Sequence, residues 1–210
     1  MKEKDFFYYL LEKTKATYLE SKIYKYQIDN TKNWNYAVCE TQIKKNKGII
    51  LGLNWGNDNK YAQTEYPKKG KKRNWKFLKN SMYFFYSYLN IKSIDDINYS
   101  NLCFYRTPKI KYLKNSDWKE SLPLLNEYIE YISPPWIMLS GKTGFSKLNL
   151  FNCVSEIEKF EIQDKRRRVF AYKSKLHNKY DMYCVPHPQA RISKQSRNQI
   201  WDSLLNDTKL

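Results

Sequence analysis

Lys47-Gly48-Ile49-Ile50-Leu51-Gly52-Leu53-Asn54-Trp55-Gly56 is the stretch that decides the fold. Its apolar run is short and unbroken, with no polar residue placed to face water. That is the mark of a strand buried on both faces, and such strands belong to parallel sheets. A glycine-bearing loop leaves it at Asn54. Three later stretches, 97–104, 136–140 and 180–185, read the same way. Helices are expected over 1–28, where Phe6, Tyr9, Leu10, Lys13 and Thr17 keep helical spacing, and over 75–89, 118–132 and 193–205. Another opens at Gly141-Lys142-Thr143-Gly144 and runs to about Lys159, and Ser193 is placed to cap the last one. The stretch 166–172, beginning Arg166-Arg167-Arg168, is ambiguous, and an edge strand fits it.

Alternating strands and helices imply an α/β fold, three layers α/β/α around a central, mainly parallel four-stranded sheet. The reading is a single domain over 1–210, with 1–36 as an amino-terminal helical extension. In such sheets the ligand lies outside the carboxyl ends of the strands. The loops at Asn54, Arg106, Gly141 and His187 are therefore expected to face one crevice.

Charge points to the partner. Lys and Arg number 38 and Asp and Glu 21, a net charge of +17. Drift in an AT-rich genome explains lysine over arginine but not the scarcity of acids. So basic a domain favours polyanions, nucleic acid before anionic membrane. Cys39, Cys103, Cys153 and Cys184 form no CxxC pair and sit in apolar surroundings, so free buried thiols are expected rather than a metal or cluster site. No apolar run approaches the roughly 18–20 residues of a membrane span. With no signal peptide read at 1–10, a cytoplasmic monomer without a membrane partner is expected.

Chemistry-bearing motifs are few. There is no GxSxG, no HExxH and no complete phosphate loop, since Gly141-Lys142-Thr143 lacks the upstream glycine. What stands out is Asn54 after the first strand, Asn101 in the second and His187 after the fourth, in a chain with two histidines, His177 and His187.

Taken in order, Gly52-Leu53-Asn54-Trp55-Gly56, Ala62-Gln63-Thr64, Asn101-Leu102-Cys103 and His187-Pro188-Gln189-Ala190 resemble the uracil-DNA glycosylase superfamily. The likeness is greatest to its single-strand-selective monofunctional uracil-DNA glycosylases, which carry G-M-N-P-G, A-Q-T-G, N-L-C and H-P-S-P. The likeness spans 48 to about 200. It implies the uracil-DNA glycosylase-like fold and a monofunctional DNA glycosylase without metal or cofactor. Such an enzyme flips uracil or a 5-substituted pyrimidine out of single- or double-stranded DNA and hydrolyses its N-glycosidic bond, leaving an abasic site. By the same likeness Asn54 holds the water beneath the sugar and Asn101 reads the pyrimidine edge with its amide. His187 donates to the charge growing on the base oxygen, and main-chain N–H groups from Leu53 onward add to that anion site.

This chain departs from the family in the base pocket. Trp55 stands in place of the family proline, and Gln189 in place of the serine of H-P-S. The stacking aromatic aligns with Lys68, so Tyr66 is expected to substitute for it. These changes spare the hydrolytic centre and point past plain uracil, towards 5-hydroxymethyluracil or a bulkier modified base of phage DNA. The role is then defence against phage; otherwise it is base excision repair. Beyond His187, Arg191 or Ile192 is expected to wedge into the gap left by the flipped nucleotide, with Lys194 and Arg197 on phosphates. Lys68, Lys69 and Lys71, from the run 68–73, are expected to grip the DNA backbone. The competing reading on the same fold is a catalytically silent DNA-binding protein, with Trp55 filling the pocket. A third is an unrelated basic α/β protein, which a strand order without four parallel central strands would favour.

Overall fold

The computed structural model describes residues 1–53, 61–70 and 76–205, with 76–80 described by backbone alone. Asn54, Trp55 and Lys71 lie outside the described residues.

Two helices open the chain, α1 (Glu3–Glu20) and α2 (Lys22–Asp29). One helix is expected over this stretch; Ser21 divides it. Its hydroxyl accepts the Tyr24 N–H at 3.1 Å while its backbone is extended. A serine that takes up a neighbouring N–H ends one helix and caps the next, which apolar spacing does not reveal. There follow β1 (Asn35–Tyr36), β2 (Ile49–Gly52), α3 (Lys76–Leu89), β3 (Asn98–Asn101), β4 (Tyr105–Arg106), α4 (Asn115–Ile132) and β5 (Ile137–Ser140). Then come α5 (Lys142–Leu150), β6 (Val154–Asp164), β7 (Arg167–Leu176), β8 (Tyr180–Val185) and α6 (Lys194–Leu205). Strands β1 and β4 form a small antiparallel ladder of their own.

The main sheet has the order β3-β2-β5-β8-β7-β6. Its first four strands are parallel and are the four expected from sequence. The other two form an antiparallel hairpin joined to β8, so the sheet is mainly parallel but six-stranded rather than four-stranded. The difference arises after α5, which stops at Leu150 and does not reach Lys159. Asn152 takes the left-handed conformation at φ 56°. The Cys153 N–H then bonds Leu148 O at 2.9 Å and the Asn152 N–H bonds Asn149 O at 3.0 Å. That pair of bonds is a Schellman stop, which asparagine makes at low cost. The freed chain becomes β6, leaving β7 an interior strand and β6 the edge.

Side chains alternate across the sheet into two cores. On one face Ile49, Leu51, Ile137, Leu139, Met182 and Cys184 pack with α1, α4 and α5. On the other, Ile50, Met138, Tyr183 and Val185 pack with α3 and α6. The three layers α/β/α are thus occupied. The amino-terminal helix is part of the first core: Phe7 and Leu10 are fully buried, and Phe6 stacks on Tyr131 of α4 at 3.7 Å. Among the described residues no helix is long and apolar enough to cross a membrane.

The winding positions the site. The chain leaves β2 through α3 to reach β3, then returns through α4 to β5 on the other side of β2. The two crossovers lie on opposite faces. The carboxyl ends of β2 and β5 therefore flank the point where the strand order reverses, which is where such sheets open a crevice.

Candidate active site

Each parallel strand delivers one residue to this rim: Leu53 after β2, Asn101 at the end of β3, Gly141 after β5 and His187 after β8. Asn101 is 3% exposed, and its side-chain oxygen lies over Gly52 so closely that a Cβ there would collide with it. The Leu102 N–H bonds Gly52 O at 2.9 Å and keeps the two strand ends level. A Cβ on Gly141 would lie 3.6 Å from Leu53 Cδ1 and 3.7 Å from His187 Cβ, so those two side chains flank the glycine. Gly141 has φ +107°, a conformation that side chains disfavour. On Gly144 a Cβ would come within 2.7 Å of Leu53 Cδ2, so the glycine lets α5 settle onto Leu53. Leu53, Asn101 and His187 thus share one rim, joined through Gly52 and Gly141.

The His187 imidazole is held in one form. The Gln189 N–H donates to Nδ1 at 3.2 Å, which makes Nδ1 the acceptor and leaves the proton of the neutral ring on Nε2. Burial, and then the charge of Arg197, push its pKa below the ordinary histidine value. A neutral Nε2–H donor is the resulting species.

Arg197 secures the loop that carries this histidine. Its guanidinium donates to His187 O at 3.3 Å, Pro188 O at 3.0 Å and Ala190 O at 2.6 Å. Main-chain carbonyls thus engage the guanidinium that the sequence sets against phosphate. Behind it Asp164, at the end of β6, accepts the Ser193 N–H at 3.2 Å and the Ser196 hydroxyl at 2.9 Å. The Ser193 and then the Ser196 side chains hold the Asp164 carboxyl below the usual range. Ser193 caps α6 as expected, its hydroxyl accepting the Ser196 N–H at 3.1 Å.

The other expected residues are dispersed. Ile192 is half-buried against the α3 and α6 core, while Arg191 is exposed. Lys194 lies over the Tyr83 ring at 4.1 Å. Tyr66 is not at the rim. Its ring meets Phe7 edge-on at 5.2 Å and its hydroxyl accepts the Ile43 N–H at 2.9 Å. The next residue, Lys44, donates its N–H to Asn98 at the start of β3, about 10 Å of strand from Asn101. Lys68 and Lys69 lie at that same far end, because the Gly70 N–H is bound to Asp95 at 2.7 Å just before β3. The amide of Gln63 is spent on the main chain of Val38 and Cys39.

Burial pushes the Cys103 and Cys184 thiols up to about 12, which removes them as nucleophiles. All four cysteines are buried thiols, none of them in a disulfide. Among the described residues no group of three or more His, Cys, Asp or Glu is placed to hold a metal ion. Sequence reasoning missed two features: the clamp by Arg197, and the run 165–168, which the hairpin carries to this same rim. The signal available for the second was the run Arg166-Arg167-Arg168 leading into the apolar, aromatic Val169-Phe170-Ala171-Tyr172. No protein-family model matches the chain, and no curated protein matches it.

Proposed function

We propose that this protein is a monofunctional DNA glycosylase of the uracil-DNA glycosylase superfamily. In this reading it extrudes uracil or a 5-substituted pyrimidine from DNA and hydrolyses the N-glycosidic bond, in base excision repair or in defence against phage with modified DNA. The observation that carries the reading is the shared rim. An amide at the end of β3 and a neutral imidazole after β8 stand at the same carboxyl edge of four parallel strands, on either side of the point where the winding reverses.

The chemistry asks for little more. The C1′–N1 bond breaks with its electron pair going to the base, and a water oxygen bonds to C1′ while its proton passes to solvent. The departing base carries its negative charge on N1 and, by delocalisation, on the exocyclic C2 carbonyl oxygen, which the Nε2–H of His187 meets without changing protonation state. A preorganised donor of this kind is worth on the order of 10²–10³ in rate. Asn101 supplies donor and acceptor together for the pyrimidine edge. Asn54, by resemblance, holds the water. Trp55 and Gln189 in the positions of the family proline and serine favour a base other than plain uracil.

The test is a base-release assay over uracil and 5-substituted pyrimidines, in single- and double-stranded DNA, with a chelator present. The expected result is abasic sites from at least one base, abolished in Asn54→Ala and reduced on the order of 10²–10³-fold in His187→Ala. DNA binding without release of any base would establish the catalytically silent reading instead.

A further inference from the structure

The hairpin β6–β7 does not end with the sheet. Its pairing with β8 stops at Tyr172 opposite Cys184, while its own two strands stay paired out to Asp164 opposite Arg167. Five residues of β7 therefore run past the level of Cys184, about 16 Å at the usual rise of a strand. They run past the carboxyl end of β8, the end that delivers His187. The hairpin is an arm standing over the candidate site.

The arm is braced. Val169, Ala171, Phe160 and Ile162 pack on one face with Ile200 and Trp201 of α6, and Asp164 near the tip holds Ser193 and Ser196. On its other face Phe170 lies beneath Lys142 at 4.8 Å and Lys159 at 4.2 Å.

Charge concentrates here. Between 159 and 168 there are five cations and two carboxylates. Both acids are engaged, Asp164 with the α6 serines and Glu161 with Lys159 at 3.4 Å and Arg168 at 3.5 Å. Lys165, Arg166, Arg167 and Arg168 are exposed at the tip. The residue type is telling. The chain has 31 Lys and 7 Arg, yet four of those seven, Arg166, Arg167, Arg168 and Arg191, lie here, beside Arg197 on the loop carbonyls. The planar fork of arginine suits phosphate better than the point charge of lysine. The Ser193 N–H lies 3.2 Å from Asp164, so Arg191 is close to the tip.

We infer that the β6–β7 arm grips the phosphate backbone of duplex DNA next to the extruded nucleotide, through Lys165, Arg166, Arg167 and Arg168 with Arg191 beside them. The inference rests on the glycosylase reading only for its DNA partner. At 3.4 Å of axis per nucleotide of one strand, an arm of about 16 Å spans four to five nucleotides.

Arg166→Gln/Arg167→Gln tests it, with Lys68→Gln/Lys69→Gln as the control at the far end of the sheet. Affinity for an unmodified DNA duplex is measured against salt, together with melting temperature and base release. Each phosphate contact contributes about 0.9 to the slope of log affinity on log salt. The arm variant should lose about 2 from that slope and melt as wild type, and the control should lose nothing. The same loss in a protein that releases no base upholds the arm and defeats the glycosylase reading. An unchanged slope overturns the arm even in an active glycosylase. The arm is equally overturned if the variant keeps its DNA affinity and instead loses binding to phosphatidylserine vesicles or to an RNA duplex.

Discussion

Gly52→Ala separates the site from the fold that holds it. A Cβ on Gly52 would run into the Asn101 side-chain oxygen and lie 3.4 Å from the Tyr99 hydroxyl. Asn101 is 3% exposed, so its amide has little room to yield. Regaining ordinary contact requires a retreat of about 1 Å, and a misplacement of that size costs on the order of 10²-fold in rate. Overpacking in a tight core costs about 1–3 kcal/mol in stability. Gly48→Ala is the matched control: at the opposite end of β2 its Cβ would meet the Trp136 ring, an equally severe clash remote from the rim. Both variants should melt lower by similar amounts, about 2–4 °C per kcal/mol at this size. Single-turnover base release, measured below both melting points, should fall only in Gly52→Ala. Adding Asn101→Ala removes the obstacle, so the double variant should regain stability by about 0.5–3 kcal/mol over simple additivity while remaining inactive. Wild-type base release by Gly52→Ala would refute the placement of Asn101 as the base reader. An equal loss in Gly48→Ala would refute it too, and strictly additive melting effects would deny the contact itself.

Other perturbations reach the remaining parts of the site. His187 is held below its ordinary value by burial and by Arg197, so the folded protein binds that proton less readily than the unfolded chain. Stability should therefore fall as pH drops below the ordinary histidine value, and fall no further once below the depressed one; His187→Gln should flatten part of that slope in pH-dependent melts. Base release should rise with pH across the same window, because a second ring proton would set Nδ1–H against the Gln189 N–H; a rate that rises on acidification would show that imidazolium is the donor. Arg197→Gln removes the charge-assisted bonds to three carbonyls, each kind worth about 1.5–3 kcal/mol. It should lower the melting temperature and, by NMR titration, raise the His187 pKa; an unmoved pKa would deny the electrostatic coupling. Tyr66→Phe loses a bond to the Ile43 N–H, at a cost of about 1 kcal/mol, and should leave base release unchanged; a loss of release beyond the loss of stability would return Tyr66 to the base pocket.

The parallel strands were legible because burial on both faces leaves an apolar run: 49–52 and 137–140 alternate between two cores without a residue that faces water, and in 180–185 only Asp181 does so. The hairpin was not. Val154–Asp164 carries Glu156, Glu158, Lys159 and Glu161 on an edge, so its composition resembles an exposed helix as much as a strand. What decides is the left-handed Asn152 and the pairing of β6 with β7, and only the first is local. The division of the first helix at Ser21 was hidden likewise, since a serine within helical spacing gives no sign of whether it points to solvent or takes the next N–H.

Of the site, the residues that reach the rim were legible because strand ends are fixed by the strands. Those borne by loops were not, since the sequence does not say at which end of the sheet a loop is tied. Tyr66 and Lys69 follow β2 in the chain, as a pocket wall would, yet Ile43 and Asp95 hold that segment at the amino ends. The same limit governs charge. A net +17 favours polyanions without saying which cations would meet one. Arg106 is spent on Glu40, Arg197 on the His187 loop, Lys194 on Tyr83 and Lys142 on Phe170. Cations with such partners contribute field; under the arm proposal those exposed at the tip contribute contacts, Arg168 by leaving its exposed pair with Glu161. The distinction lies in the fold, because it depends on whether a carbonyl, a carboxylate or a ring stands within reach of the charge.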